Sequence, residues 1–288
     1  MFAAIAMLVP AFAVWHIRGY TYRIPEDRTR LFIGDSYIAQ GVDDTVVPAA
    51  FNCSVSADSF LTGFLRLRLL LRDNPQIDTV FLSVSPYNLS RGADETVFRP
   101  SLVAMKVPYY LAHFGSEEWR VYGERVPADF LRAVAGTPTV YLRKSKLDNK
   151  KYFKKLGAFN PRDNRTLDKA LAGTETLERD PAGGNAIQRR YLKKIENFCR
   201  EKNLRLVFLC TPVYRAEHYC DLDYFYALLK SDFPAVEFWD YMDFEMPDEE
   251  REDVGHLNSF GARHFGQVLA ERLAAESVPA TAVPAVQN

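Results

Sequence analysis

The chain has 288 residues, 48% of them hydrophobic and 25% charged, enough apolar material for one large domain or two small ones. Thirty-six lysines and arginines offset 37 aspartates and glutamates, a net charge of -1 that excludes a bulk electrostatic attraction for nucleic acid. Cys53, Cys199, Cys210 and Cys220 form no Cys-x-x-Cys pair and no metal-type spacing, so buried or unpaired thiols are expected, with a Cys210–Cys220 bridge as the alternative.

The chain opens on MFAAIAMLVPAFAVW, which carries no charge, and turns polar from Arg18. A run of this length lies at the lower edge of what spans a bilayer, about 17 to 25 residues, and it lacks the polar face of a core helix. Residues 1–20 are therefore expected to form a signal-anchor or transmembrane segment. The arginines that follow, with no basic residue before the run, argue for a cytoplasmic domain under the positive-inside rule.

Strand and helix patterns then alternate. RLFIG reads as a first strand and AFNCSVS as a second. DSFLTGFLRLRLLLRDN reads as a helix capped by Asp58, with Phe60, Phe64, Leu67 and Leu71 on one face. IDTVFLSVS is apolar nearly throughout, as a strand covered on both faces must be. AIQRRYLKKIENFCREKN is an amphipathic helix burying Ile187, Tyr191, Ile195 and Phe198. LRLVFLCTP and AVEFWDYM are a fourth and a fifth strand, and SFGARHFGQVLAERLAAE is a last helix capped by Ser259. This alternation predicts a three-layer α/β/α sandwich with a central parallel sheet over residues 27–277, flavodoxin-like in its winding.

An interval at about 90–184 breaks the rhythm and reads as a largely helical insertion. Its aromatic part, VPYYLAHFGSEEWRVYG, is expected to line the mouth of a site. Its basic part, RKSKLDNKKYFKKLGAFNPRDNRTLDK, is expected to be solvated. Residues 278–288 close a Pro/Ala-rich tail expected to be disordered.

Ligands of wound parallel sheets sit outside the carboxyl ends of the strands, and Ser36 stands there after the first strand. A serine hydroxyl needs an imidazole to take its proton, and the imidazole needs a carboxylate to set its tautomer. DVGHLN supplies Asp253 and His256 three residues apart, after the fifth strand. His113, His218 and His264 lack partners at ligand spacing, and neither a P-loop nor GxGxxG follows the first strand. No metal and no cofactor are expected.

These blocks resemble the SGNH/GDSL hydrolase superfamily over most of residues 29–276, the insertion excepted. FIGDS is similar to the first block, which implies Ser36 as nucleophile. DVGHLN is similar to the last, which implies Asp253 and His256 as its partners. SPYNL partly resembles the third block, Gly-x-Asn-Asp, which implies Asn88 as a side-chain donor to an oxyanion. The chain departs there, with Pro86 for the glycine and Leu89 for the aspartate. NCSVSADS replaces the second block without its glycine, and Ser56 takes its place as a backbone donor beside the Ser36 N–H. A turn residue is the plain alternative for Asn88.

Within the superfamily the chain looks most like a membrane-anchored bacterial branch active in exopolysaccharide O-acylation. That resemblance implies an O-acylated carbohydrate or acyl donor as partner, a membrane-bound acyltransferase alongside, and a domain facing the periplasm or exterior. The rival reading is a catalytically degenerate envelope protein that binds glycan or scaffolds an acyltransferase.

Overall fold

The computed structural model describes residues 21–146, 157–163, 167, 184–215 and 221–276, the side chains of 141–146 excepted. The expected anchor at 1–20, the tail at 278–288, His218, Cys220 and most of the basic stretch lie outside these residues. Among the described residues no helix is long and apolar enough to cross a membrane.

The strands are β1 (Arg30–Ile33), β2 (Ala50–Asn52), β3 (Thr79–Ser83), β4 (Arg205–Cys210) and β5 (Glu237–Asp240). They form one all-parallel sheet in the order β2-β1-β3-β4-β5. The helices are α1 (Ser36–Gly41), α2 (Phe60–Asp73), α3 (Ala93–Val97), α4 (Pro100–Tyr110), α5 (Ser116–Arg125), α6 (Pro127–Lys146), α7 (Ala186–Glu201), α8 (Leu222–Asp232) and α9 (Ser259–Glu276).

Strand side chains alternate between faces, so each strand feeds two cores. Phe32 and Phe81 are register partners and stack at 4.5 Å. With Val207, Leu209 and Trp239 they meet Ile38 of α1 and Phe265, Leu269 and Leu273 of α9. Leu31, Ile33, Val80, Leu82 and Phe208 face the other way, against α2, α7 and α8. The result is the three-layer sandwich expected from the sequence.

Among the described residues the insertion is helical, comprising α3 to α6, and its aromatic residues pack on one another. Phe114 stacks on Tyr122 at 5.3 Å, and Trp119 and Phe130 pack around them. Phe114, Tyr122 and Phe130 are buried in the core on the α2/α7 side, Trp119 stays largely exposed, and Tyr122 also lines a small cavity beside Asn88. Cys53, Cys199 and Cys210 are buried, and Cys220, the other half of the Cys210–Cys220 alternative, lies outside the described residues.

Two helix caps also differ from expectation. Ser59 caps α2, in a capping box with Thr62. Asp58 is drawn inward, because Arg66 stands on the buried face of α2 with none of its side chain exposed and needs an anion. Asp58 Oδ2 pairs with Arg66 Nη2, Asp58 Oδ1 accepts from Thr62 Oγ1 at 2.5 Å, and Arg66 Nη2 also donates to Gly34 O at 3.0 Å. At α9 the cap is Asn258, whose Oδ1 accepts from Phe260 N and Gly261 N, while Ser259 Oγ donates to Asp163.

Removing one partner of such a buried pair leaves the other charge uncompensated. Asp58→Ala is expected to lower unfolding free energy by about 3–5 kcal/mol, read as a drop in the urea midpoint at unchanged m-value.

The chain enters the domain at the pole opposite Ser36. Tyr22 N donates to Asp73 Oδ2 and Ile24 N to Asn74 Oδ1, at the carboxyl end of α2 and before the amino end of β3.

Candidate active site

The strand order reverses direction between β1 and β3. In sheets wound 2-1-3-4-5 the crevice at that point, beyond the carboxyl ends, is where ligands bind. Ser36 follows β1 at one side of it, and the turn Ser85–Asn88 follows β3 at the other.

Gly34 precedes the pair Asp35-Ser36 for a steric reason. A Cβ there would lie 2.2 Å from Ser83 Cβ, so only glycine lets β1 leave the sheet beside β3. Asp35 then caps α1, accepting from Tyr37 N at 3.1 Å, and leaves Ser36 as the first helical residue. In that position the Ser36 N–H has no intrahelical acceptor.

The histidine is presented by a loop staked at both ends. An isolated bridge pairs Arg251 with Leu257, and Leu257 is buried in the core. Inside the loop, Asp253 Oδ1 accepts from Gly255 N at 2.8 Å and from His256 N at 2.9 Å, an acid-centred turn. Tyr37 stacks on the imidazole at 5.1 Å and on Tyr87 at 5.7 Å. A Cβ on Gly255 would meet the Tyr37 hydroxyl at 3.2 Å, so glycine lets the tyrosine approach.

The sequence elements meet across 220 residues: Ser36 Oγ is 2.8 Å from His256 Nε2. His256 Nδ1 lies 2.9 and 3.1 Å from the two oxygens of Asp253. With a carboxylate accepting at Nδ1, that nitrogen carries the proton and Nε2 accepts from the serine. Burial by itself pulls the His256 pKa down, but the hydrogen bond and charge of Asp253 outweigh it and hold the pKa above the usual histidine value. Burial likewise pushes Asp253 up, and the His256 hydrogen bond and charge overcome it, leaving its pKa lowered. Each member thus favours the charged form of the other.

Asn88 is both a turn residue and a neighbour of the site. Its Oδ1 accepts from Ser85 N at 3.0 Å and Ser85 Oγ at 2.8 Å, and its Nδ2 donates to Asp35 Oδ2 at 2.7 Å. A side-chain amide has two N–H groups, so one is left beyond the bond to Asp35. Ser56 sits on the loop after β2, which stays tied to β1 as far as Val55, whose N donates to Gly34 O at 2.9 Å. Ala57 then turns the chain with a φ of 53°. Among the described residues the Ser56 N–H finds no protein acceptor.

Asp35 is the residue whose role sequence reasoning missed, although it stands in the quoted motif. It is buried, and burial raises its pKa against the hydrogen bonds from Asn88, Ser83 and Tyr37 N. It links β3, Asn88 and the start of α1. Residues 157–163 of the insertion frame the far side: Asn160 N donates to Ala39 O at 2.6 Å and Ser259 N to Arg162 O at 2.7 Å. His264 pairs with Glu250 at 2.7 Å, outside the site. Among the described residues no group of three His, Cys, Asp or Glu side chains is placed to hold a metal ion.

Fold and side-chain geometry together define a wound α/β protein carrying a hydrogen-bonded Ser–His–Asp set at its switch point. No protein-family model matches the chain, and no curated protein matches it.

Proposed function

We propose that the chain is a serine-dependent esterase or O-acyltransferase acting on an O-acylated carbohydrate of the cell envelope, with residues 1–20 as its membrane anchor and the domain outside the cytoplasm. The observation that carries the chemistry is the 2.8 Å contact between Ser36 Oγ and His256 Nε2, with Asp253 on the other ring nitrogen. The carbohydrate, the envelope and a partner acyltransferase rest on the resemblance of the sequence blocks.

In this reading Ser36 Oγ bonds to the ester carbonyl carbon as its proton passes to His256 Nε2. The carbonyl electron pair moves onto oxygen, which faces the N–H groups of Ser36 and Ser56 and the amide of Asn88. Collapse of this intermediate breaks the bond to the leaving alkoxide, which takes the proton from Nε2. Water or a sugar hydroxyl then attacks the acyl-serine by the same route in reverse. The test is labelling with a fluorophosphonate probe: the intact protein is expected to gain one adduct, and Ser36→Ala none.

A second reading, a glycan-binding protein without turnover, is favoured by one observation: the Asn88 amide already donates to Asp35. Ester turnover by wild type above that of Ser36→Ala separates the two, and Asn88→Ala then tests the role of the amide. As an oxyanion donor, Asn88 is expected to be worth about 10²–10³-fold in kcat with little change in KM. An unchanged kcat assigns it to the turn alone.

A further inference from the structure

The ring face of His256 has a neighbour that the proton transfers above do not use. Tyr37, the residue after Ser36, lies over the imidazole with ring centroids 5.1 Å apart and planes 19° from parallel. Its ring also stacks on Tyr87 at 5.7 Å and packs against the buried cluster of Cys210, Val213 and Met242. Gly255 makes the approach possible, because a Cβ there would stand 3.2 Å from the Tyr37 hydroxyl. A side chain in the first turn of α1 is thus fixed against a ring that arrives from the far end of the chain.

An imidazole makes its hydrogen bonds at its edge, and here both nitrogens are engaged. Nδ1 faces Asp253 and Nε2 faces Ser36. What remains is the face. The face of an aromatic ring is the negative part of its quadrupole and attracts a cation within about 6 Å of the centroid. A neutral imidazole at that distance gains only dispersion from the contact. The imidazolium gains a charge–quadrupole attraction as well, and with 23% of the His256 side chain exposed, water screens it only in part. The contact is therefore stronger after the proton has moved than before, which is the condition for speeding the step.

We propose that Tyr37 is a positioning residue whose ring face stabilises the imidazolium formed when the Ser36 proton passes to His256 Nε2. The proposal rests on the reading of Ser36 and His256 as the reacting pair. The charged groups that face the ring are Asp253 and Glu252 on its own loop and Asp35 before α1. All three are acids and raise the His256 pKa, while burial lowers it. Tyr37 adds to the raising side without carrying a charge.

Two roles for Tyr37 give pKa changes of opposite sign. Where the ring acts through its face, an aliphatic replacement destabilises the imidazolium and lowers the pKa. Where the ring only fills space, a smaller side chain admits water, relieves the desolvation and raises the pKa.

The test is an NMR titration of the His256 ring C–H in the full chain, assigned with His256→Gln, together with kcat for p-nitrophenyl acetate. Tyr37→Phe keeps the face and is expected to hold the pKa in place. Tyr37→Leu is expected to lower it by about 0.5–1 unit and to lower kcat by about three- to tenfold. A phenylalanine carrying three ring fluorines at position 37 keeps the shape and loses the negative face. It is expected to act as Tyr37→Leu does, and it answers the question if the leucine disturbs folding. An unchanged or raised pKa in these variants overturns the proposal alone and leaves Ser36 as nucleophile. A lowered pKa with kcat unchanged overturns it as well. Wild-type turnover no greater than that of Ser36→Ala overturns the nucleophile reading, and the proposal with it.

Discussion

Ser36→Ala is expected to lower kcat for ester turnover by about 10⁵- to 10⁶-fold, close to the loss for removing the whole triad, because the three groups act as one unit. Among the described residues the Ser36 hydroxyl is the only one hydrogen-bonded to the His256 ring, so no second hydroxyl there is placed to take over. The substitution removes one hydrogen bond at a half-buried position, worth about 1 kcal/mol of stability. The folded protein should therefore persist, and its urea midpoint should move little while turnover vanishes. Activity retained within tenfold of wild type would place the chemistry elsewhere.

Asp253→Asn is expected to cost about 10⁴-fold in kcat and to move the pH profile as well. The asparagine carbonyl can still accept from Gly255 N and His256 N, so the loop keeps its shape. Its amide, however, presents hydrogens to Nδ1, which forces the ring proton onto Nε2, where it faces Ser36 and blocks proton acceptance. The pH dependence has a definite sign. His256 must be neutral to act as base, and Asp253 raises its pKa against the lowering effect of burial. In the wild type kcat/KM should fall as pH drops through a value above the ordinary histidine pKa of about 6.5. In Asp253→Asn the raising influence is gone and burial remains, so the acid limb should shift to lower pH. A limb that stays in place would mean that another group titrates.

The fold is legible in the sequence because its signals are local. The uninterrupted apolar run of β3 marks a strand covered on both sides, and the helical spacing of Ile187, Tyr191 and Ile195 marks the buried face of α7. The Ser36, Asp253 and His256 constellation is legible for a related reason. Each residue stands in a polar turn after a strand, and a parallel sheet gathers all such turns at one end. The helix caps are less legible: Asp58 and Ser59 are both good capping residues, and propensity does not rank them.

Arg66 illustrates the dividing line. It lies off the face of Phe60, Phe64, Leu67 and Leu71 read from the sequence, and its burial, its need for Asp58 and its bond to Gly34 O come from the fold. The same holds for Asn88, whose turn is written in SPYNL while its bond to Asp35 joins loops of two different strands.

Periodicity and turn chemistry by themselves determined the wound parallel architecture, the end of the sheet where the candidate site lies, and the pairing of an early serine with a late Asp-x-x-His. Only the tertiary structure decided that Asp58 turns inward to meet Arg66, that aromatic residues of the insertion pack on each other, and that Tyr37 lies over His256. The physical reason is that local signals report what a residue does to its own backbone and to one face of its own element. The cost of burying a charge, and the partner that offsets it, depend on which distant segments the folded chain brings within about 3–4 Å.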